Sequence, residues 1–313
     1  MIFFSYEKLL QNLAANDNRF IVLTAENRAN IRDLPKHIGR KFIDVGIAEQ
    51  TMVGMSAGLA LRGRIPIVHA LATFITMRAF EFIRTDVGIP HLPVKIVGSV
   101  PGFLSEANGP THQAVEDIGL MSLIPGMNIF CPADEEDLLL GLPKVLSSSS
   151  PFYVRFNNTK PVVVHNHNFE IGKAEVVAEG YDITILTYGF VFREAYKAKK
   201  VLDKLGFSVG LINLRTIKPV DSKEILKKIK SSSLTVTVED HFITGGLYSI
   251  VCALLAKEKI TANIFPIALK ERWFKPALME DLLEYERFTG EHIALRIVDV
   301  IQKEKKFITH LYE

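Results

Sequence analysis

A chain of 313 residues with 48% hydrophobic and 23% charged side chains has the composition of a globular protein and the length of two domains. Its net charge of +2 comes from interspersed lysines and glutamates with no long basic block, so neither nucleic acid nor a membrane surface gains electrostatic support as a partner. Cys131 and Cys252 stand far apart in apolar surroundings and read as reduced thiols of a cytoplasmic protein, and no span of about 20 apolar residues or signal-peptide pattern follows Met1-Ile2-Phe3-Phe4.

In chain order the apolar pattern predicts a helix over 4–13, strands over 20–24 and 41–45, a helix over 48–61, a strand over 65–71 and a helix over 74–87. A strand over 94–99, a helix over 112–123, a strand over 128–131, a helix over 135–146 and a strand over 152–156 follow. Continuous apolar strands alternating with helices indicate an α/β fold with a parallel sheet covered on both faces. From about residue 157 the pattern lapses into Pro161, His165, Asn166, His167 and Asn168, which reads as a linker. A second alternation then runs through strands over 182–187, 208–213, 234–238 and 263–267 and helices over 192–205, 222–229, 246–257 and 291–302. The expected organisation is two doubly wound α/β domains, residues 1–160 and 176–313, joined by a linker over 161–175.

The stretch Asp44-Val45-Gly46-Ile47-Ala48-Glu49-Gln50 leads from a strand into a helix, placing Glu49 in the first turn. A carboxylate there often only complements the helix dipole. With no cation within four residues and Val45, Ile47, Met52 and Val53 around it, this one is expected to be buried. A buried carboxyl resists ionisation and can hold a proton near neutral pH. Phe74, Met77 and Phe80 recur at three-residue spacing after Ala72-Thr73, either as a core stripe or as the aromatic wall of a heterocycle pocket at a strand end. Asn108-Gly109-Pro110-Thr111-His112-Gln113 is a rigid turn in which Thr111 is expected to cap a helix starting at His112. It presents either a polar substrate wall or a histidine bonded only to backbone. His165 and His167 lack a third metal ligand and read as solvated linker residues, while Gly245-Gly246 forms a tight helix start or an anion seat.

Together the 44–50 stretch, Ala72-Thr73-Phe74, Gly109-Pro110-Thr111-His112-Gln113, Pro132-Ala133-Asp134-Glu135 and Val238-Glu239-Asp240-His241 with Gly245-Gly246 resemble the C-terminal half of transketolases and of 1-deoxy-xylulose-5-phosphate synthases. The resemblance covers nearly the whole chain in order. It implies a pyrimidine-binding domain followed by a transketolase C-terminal-like domain, without the domain whose Gly-Asp-Gly signature holds the diphosphate and metal. The chain therefore looks like one subunit of a split transketolase, joined in an α2β2 assembly to an N-terminal subunit that binds Mg2+ or Ca2+, with no metal ligand of its own.

By that resemblance Glu49 and His112 are catalytic, and Glu49, Phe74, Met77 and Phe80 hold thiamine diphosphate. Glu49 would hydrogen-bond the pyrimidine nitrogen and favour the imino tautomer, so that a two-carbon ketol unit passes from a ketose to an aldehyde. Asn108, His112, Arg155 and Arg78 would face the sugar-type substrate. Two departures point to an atypical substrate: Asn108 replaces an aspartate two residues before the Pro, and Val100-Pro101 replaces a phosphate-binding histidine. The nearest rival, the β subunit of a 2-oxo acid dehydrogenase, lacks the Gly-Pro-Thr-His-Gln turn. Single-chain deoxy-xylulose-phosphate synthases and a non-catalytic assembly subunit complete the alternatives.

Overall fold

The computed structural model of the protein describes residues 5–312; Phe4, where the predicted first helix begins, lies outside them. The first half contributes β1 (Phe20–Thr24), β2 (Phe42–Asp44), β3 (Ile65–Leu71), β4 (Lys95–Ser99), β5 (Asn128–Phe130) and β6 (Phe152–Arg155). From the second half come β7 (Glu175–Ala178), β8 (Ile183–Thr187), β9 (Val209–Asn213), β10 (Thr216–Lys218), β11 (Leu234–Phe242) and β12 (Ile264–Leu269). β3, β4 and β6 are buried at almost every position, so they have no polar face and require helices on both sides of the sheet.

The first sheet runs β2-β1-β3-β4-β6-β5 in parallel, and β10 adds to its β5 edge in the antiparallel sense. The second runs β12-β11-β8-β9-β7, parallel except for the β7 edge. β7 and β10, of four and three residues, are antiparallel edge strands that lie outside the strand–helix alternation from which the other strands are read. The short helices Leu34–Ile38 and Met279–Tyr285 likewise fall outside the predicted elements. Since β10 belongs to the first sheet, the stretch after 176 is not confined in space to the second domain. Among the described residues no helix is long and apolar enough to cross a membrane.

Two predicted helices differ. The helix expected over 112–123 is instead a 3-10 turn at Pro110–His112, an extended Gln113 and a helix over Asp117–Ser122. Its start fails because the Gln113 side chain is buried and donates to the Phe274 carbonyl at 2.8 Å, which holds the backbone extended. Thr111 pairs with the His112 ring at 2.9 Å rather than capping a helix. The helix over 74–87 is widened: Phe74–Arg78 and Ile83–Gly88 are π-helical, and the Ala79 amide reaches back five residues to Phe74.

The linker is not solvated at His165. Its ring is buried, with Nε2 2.8 Å from Asp134 and Nδ1 2.7 Å from Glu175. Arg215 lies 2.7 Å from Asp137 and 3.0 Å from Glu175, and Asn213 donates to both of those carboxylates. The first-domain acids, the linker histidine and the second-domain arginine thus form one buried ionic clamp. Asp137, His165 and Glu175 are close enough together to suit a metal. Burial opposes charge on the ring, but the Asp134 and Glu175 hydrogen bonds outweigh it and raise the His165 pKa from 6.5 to about 10. A protonated ring has no lone pair for a metal.

That shift sets a pH dependence. The His165 contribution to stability is complete below pH 6.5 and is lost as pH rises through about 10. Glu175, whose carboxyl is held below 4.5 against burial mainly by His165, loses its contribution only in acid, outside that window. Wild-type protein is therefore expected to lose more thermal stability between neutral pH and pH 10 than His165→Gln. Parallel melting-temperature curves for the two proteins would refute the clamp.

Candidate active site at the carboxyl ends of the first sheet

Gly46, at φ +71°, turns the chain out of β2, and Asp44 fixes the turn by accepting from the amides of Gly46 at 3.0 Å and Glu26 at 3.3 Å. The helix Glu49–Leu61 then buries Glu49, Met52, Val53, Ser56, Ala57 and Ala60. That spacing is one face of a helix, so Glu49 occupies the first position of the row that packs inward. Its exposure is 2%. A buried carboxylate needs a partner, and Arg78 supplies one with Nη1 2.8 Å from Oε2. The cation lies 29 residues away in sequence, which is why the local window around Glu49 showed none.

Arg78 was expected to face substrate; the structure gives its guanidinium to Glu49 and lays it 4.4 Å from the Phe74 ring centroid. Phe74 in turn meets the His112 ring at 5.1 Å, edge to face. Glu49, Arg78, Phe74 and His112 thus form one run of contacts. They follow β2, β3 and β4, with Phe74 and Arg78 both after β3, at the strand ends where ligands bind in open parallel sheets. Met77 is half-buried with its sulfur 3.6 Å from the Thr73 hydroxyl, and Phe80 is half-buried against the hydrophobic core that the two domains share. Asn108 is exposed on the loop that carries His112.

This loop is anchored by the second domain. Phe103 packs edge to face with Phe274 and Phe288, at 5.2 and 4.9 Å, and its amide donates to Asp240 at 3.1 Å. Gly102 is required here, since it has φ +55° and a Cβ would meet Asp240 at 2.0 Å. Val100, at φ +48°, is a β-branched residue in the left-handed region, a strain of roughly 1–3 kcal/mol that the anchored surroundings must sustain.

Arg155 is a correction. Expected at the substrate phosphate, it is 1% exposed, with Nε 3.0 Å from Asp117 and Nη1 2.6 Å from Asp240. Burial opposes its charge, but the two carboxylates outweigh that and hold the guanidinium protonated. Its donors are committed to the domain junction. Tyr153 donates to the same Asp117 at 2.7 Å, a residue that sequence reasoning missed because nothing local marks it. The Gly245-Gly246 helix start does receive an anion, but it is the protein's own. Glu239 accepts from the amides of Leu247 at 2.6 Å and Tyr248 at 2.9 Å, and a Cβ on Gly246 would strike it at 2.1 Å. Burial still raises the Glu239 pKa to about 7.

Residues 4–161 match the family described as transketolase, pyrimidine binding domain, and residues 172–293 match transketolase, C-terminal domain. The chain is 32% identical to the 6-deoxy-6-sulfo-D-fructose transketolase subunit SqwH of a Clostridium species, over 97% of this chain and 95% of that one. It is 33% identical to one of the subunits of the apulose-4-phosphate transketolase of Phocaeicola vulgatus, over 84% and 86% respectively. Among solved structures it is similar to a split-gene transketolase described as an inactive β4 tetramer, with TM-score 0.85, 30% identity and coverage of 94% and 96%. With both domain families matched in order and relatives aligned along nearly its full length, the chain belongs to the transketolase family.

Proposed function

We infer that this chain is the pyrimidine-side subunit of a split, thiamine-diphosphate-dependent transketolase, which transfers a two-carbon ketol unit from a ketose to an aldehyde. The observation that carries the reading is Glu49, buried at a strand-to-helix turn and linked through Arg78 to the Phe74 ring, which in turn meets His112. These residues suit an aminopyrimidine, which needs a carboxyl in its plane and an aromatic surface for its face. When bound, thiamine diphosphate supplies a carbon nucleophile for the ketose carbonyl.

The chain's own residues then have distinct tasks. Glu49 offers its carboxyl to a ring nitrogen and holds a proton there, and Phe74 covers the ring, with Met77 and Phe80 closing the apolar side. His112 stands on the loop beyond Phe74, where a ring nitrogen can exchange a hydrogen bond or a proton with a substrate hydroxyl or carbonyl oxygen. Asn108, exposed on the same loop, offers a neutral contact for sugar hydroxyls. Mg2+ or Ca2+ and the cofactor's diphosphate fall to an N-terminal partner subunit in an α2β2 assembly. Free Cys131, buried, and Cys252, half-buried, suit a reducing compartment and support a cytoplasmic setting.

Asn108 and Val100-Pro101 favour an atypical sugar, and the named substrates of the two relatives, a sulfo-sugar and apulose 4-phosphate, support that direction. The dehydrogenase-subunit and non-catalytic readings are not favoured, because relatives aligned over most of the chain are transketolase subunits. Reconstitution tests the proposal. With a diphosphate-binding partner and magnesium, the pair is expected to bind thiamine diphosphate and run as a 2:2 assembly, while this chain alone binds none. A pair that assembles but takes up no cofactor would overturn it.

A further inference from the structure

We propose that Arg78 is a stand-in for the cofactor's pyrimidine, filling its two contacts until the cofactor displaces it. The proposal rests on the thiamine diphosphate reading above. The Arg78 guanidinium is planar, cationic and rich in N–H donors. It sends Nη1 to Glu49 at 2.8 Å and lies 4.4 Å from the Phe74 centroid. An aminopyrimidine calls on the same pair, the Glu49 carboxyl at its edge and the Phe74 ring against its face. A ring seated on the face of Phe74 that Arg78 covers displaces the guanidinium lying there, and with it the Nη1 bond to Oε2 of Glu49.

Three features make the exchange practical. Glu49 is 2% exposed, so a chain without Arg78 on that carboxyl would bury an unpaired charge. The Arg78 side chain is 41% exposed, so its long flexible stem has an outlet to solvent and can leave without backbone change. Arg78 also sits at the end of the π-helical turn Phe74–Arg78, the widened geometry that sets its guanidinium back over Phe74, four residues earlier. Cofactor loading is then a swap of one flat donor group for another, and the chain's affinity is discounted by the share of time Arg78 occupies the seat.

The test uses the reconstituted pair, wild type and with Arg78→Met or Arg78→Gln. Equilibrium dialysis gives the Kd for thiamine diphosphate with magnesium, and thermal melting is followed on this chain alone. Arg78→Met is expected to tighten cofactor binding by about tenfold while lowering the melting temperature of the lone chain. Arg78→Gln, which keeps a donor for Glu49, is expected to tighten binding with a smaller melting loss, and it decides the matter where Arg78→Met does not fold. Unchanged or weaker binding by folded variants would mean that Arg78 stays beside the cofactor, and the stand-in is rejected. A wild-type pair that binds no cofactor sinks the underlying reading and the stand-in with it.

Discussion

Glu49→Gln is expected to reduce ketol transfer by the reconstituted pair by about 10²–10⁴-fold, the range typical of a lost acid–base group. The amide keeps the shape and size of the side chain at the head of the buried row Glu49, Met52, Val53, Ser56, Ala57 and Ala60. It removes only the capacity to hold and return a proton. Folding should survive, because Arg78 at 2.8 Å can still donate to the amide oxygen, and its guanidinium keeps the Phe74 ring beneath it. The measurement is kcat at saturating thiamine diphosphate, beside the melting curve of the variant. Activity within a few-fold of wild type in a folded pair would return Glu49 to a helix-start carboxylate with no chemical duty.

The largest stability effect is expected at Arg155. Its guanidinium pairs with Asp117 and Asp240, which are fully buried, so Arg155→Met leaves two carboxylates facing each other without a cation. Breaking a buried pair by removing one partner costs about 3–5 kcal/mol. In a chain of this length that is a fall in melting temperature on the order of 10 °C. Asp117 also accepts from the Tyr153 hydroxyl, and Asp240 from the Phe103 amide, so the loss spreads to the loop that carries His112. Differential scanning calorimetry checks it; a shift of only a degree or two would show that solvent reaches the junction and screens it. Arg155→Lys is expected to recover only part of the loss, since a single ammonium cannot reproduce the planar fork that spans both acids.

What the sequence made legible follows from local physics. The apolar runs and their breaks located the long strands and helices, and the turns that end β2, β3 and β4 identified Glu49, Phe74 and His112, which the fold brings together. The two misread arginines share one cause: the partner is far along the chain. Arg78 is 29 residues from Glu49, and Arg155 is 38 and 85 residues from its two acids. Both arginines therefore look like free cations available to a substrate, while in space their charge is already spent on buried carboxylates. His165 looked solvated because its run is polar, yet polarity there records ion pairing with Asp134 and Glu175. The helix predicted from His112 failed because a long-range bond from Gln113 to the Phe274 carbonyl overrides a local capping signal.

The three-residue strand β10 bears on where such an enzyme can be divided between genes. Thr216–Lys218 leaves the second half of the chain to close the β5 edge of the first sheet, and the Phe103 loop makes the reverse crossing into the second core. A gene break between residues 161 and 175 would strip β5 of that closing strand, opening a ladder of unpaired backbone groups, the kind of edge along which chains aggregate. Two domains interleaved in this way are expected to fold and fail as a unit, so that a chain cut between residues 161 and 175 loses both.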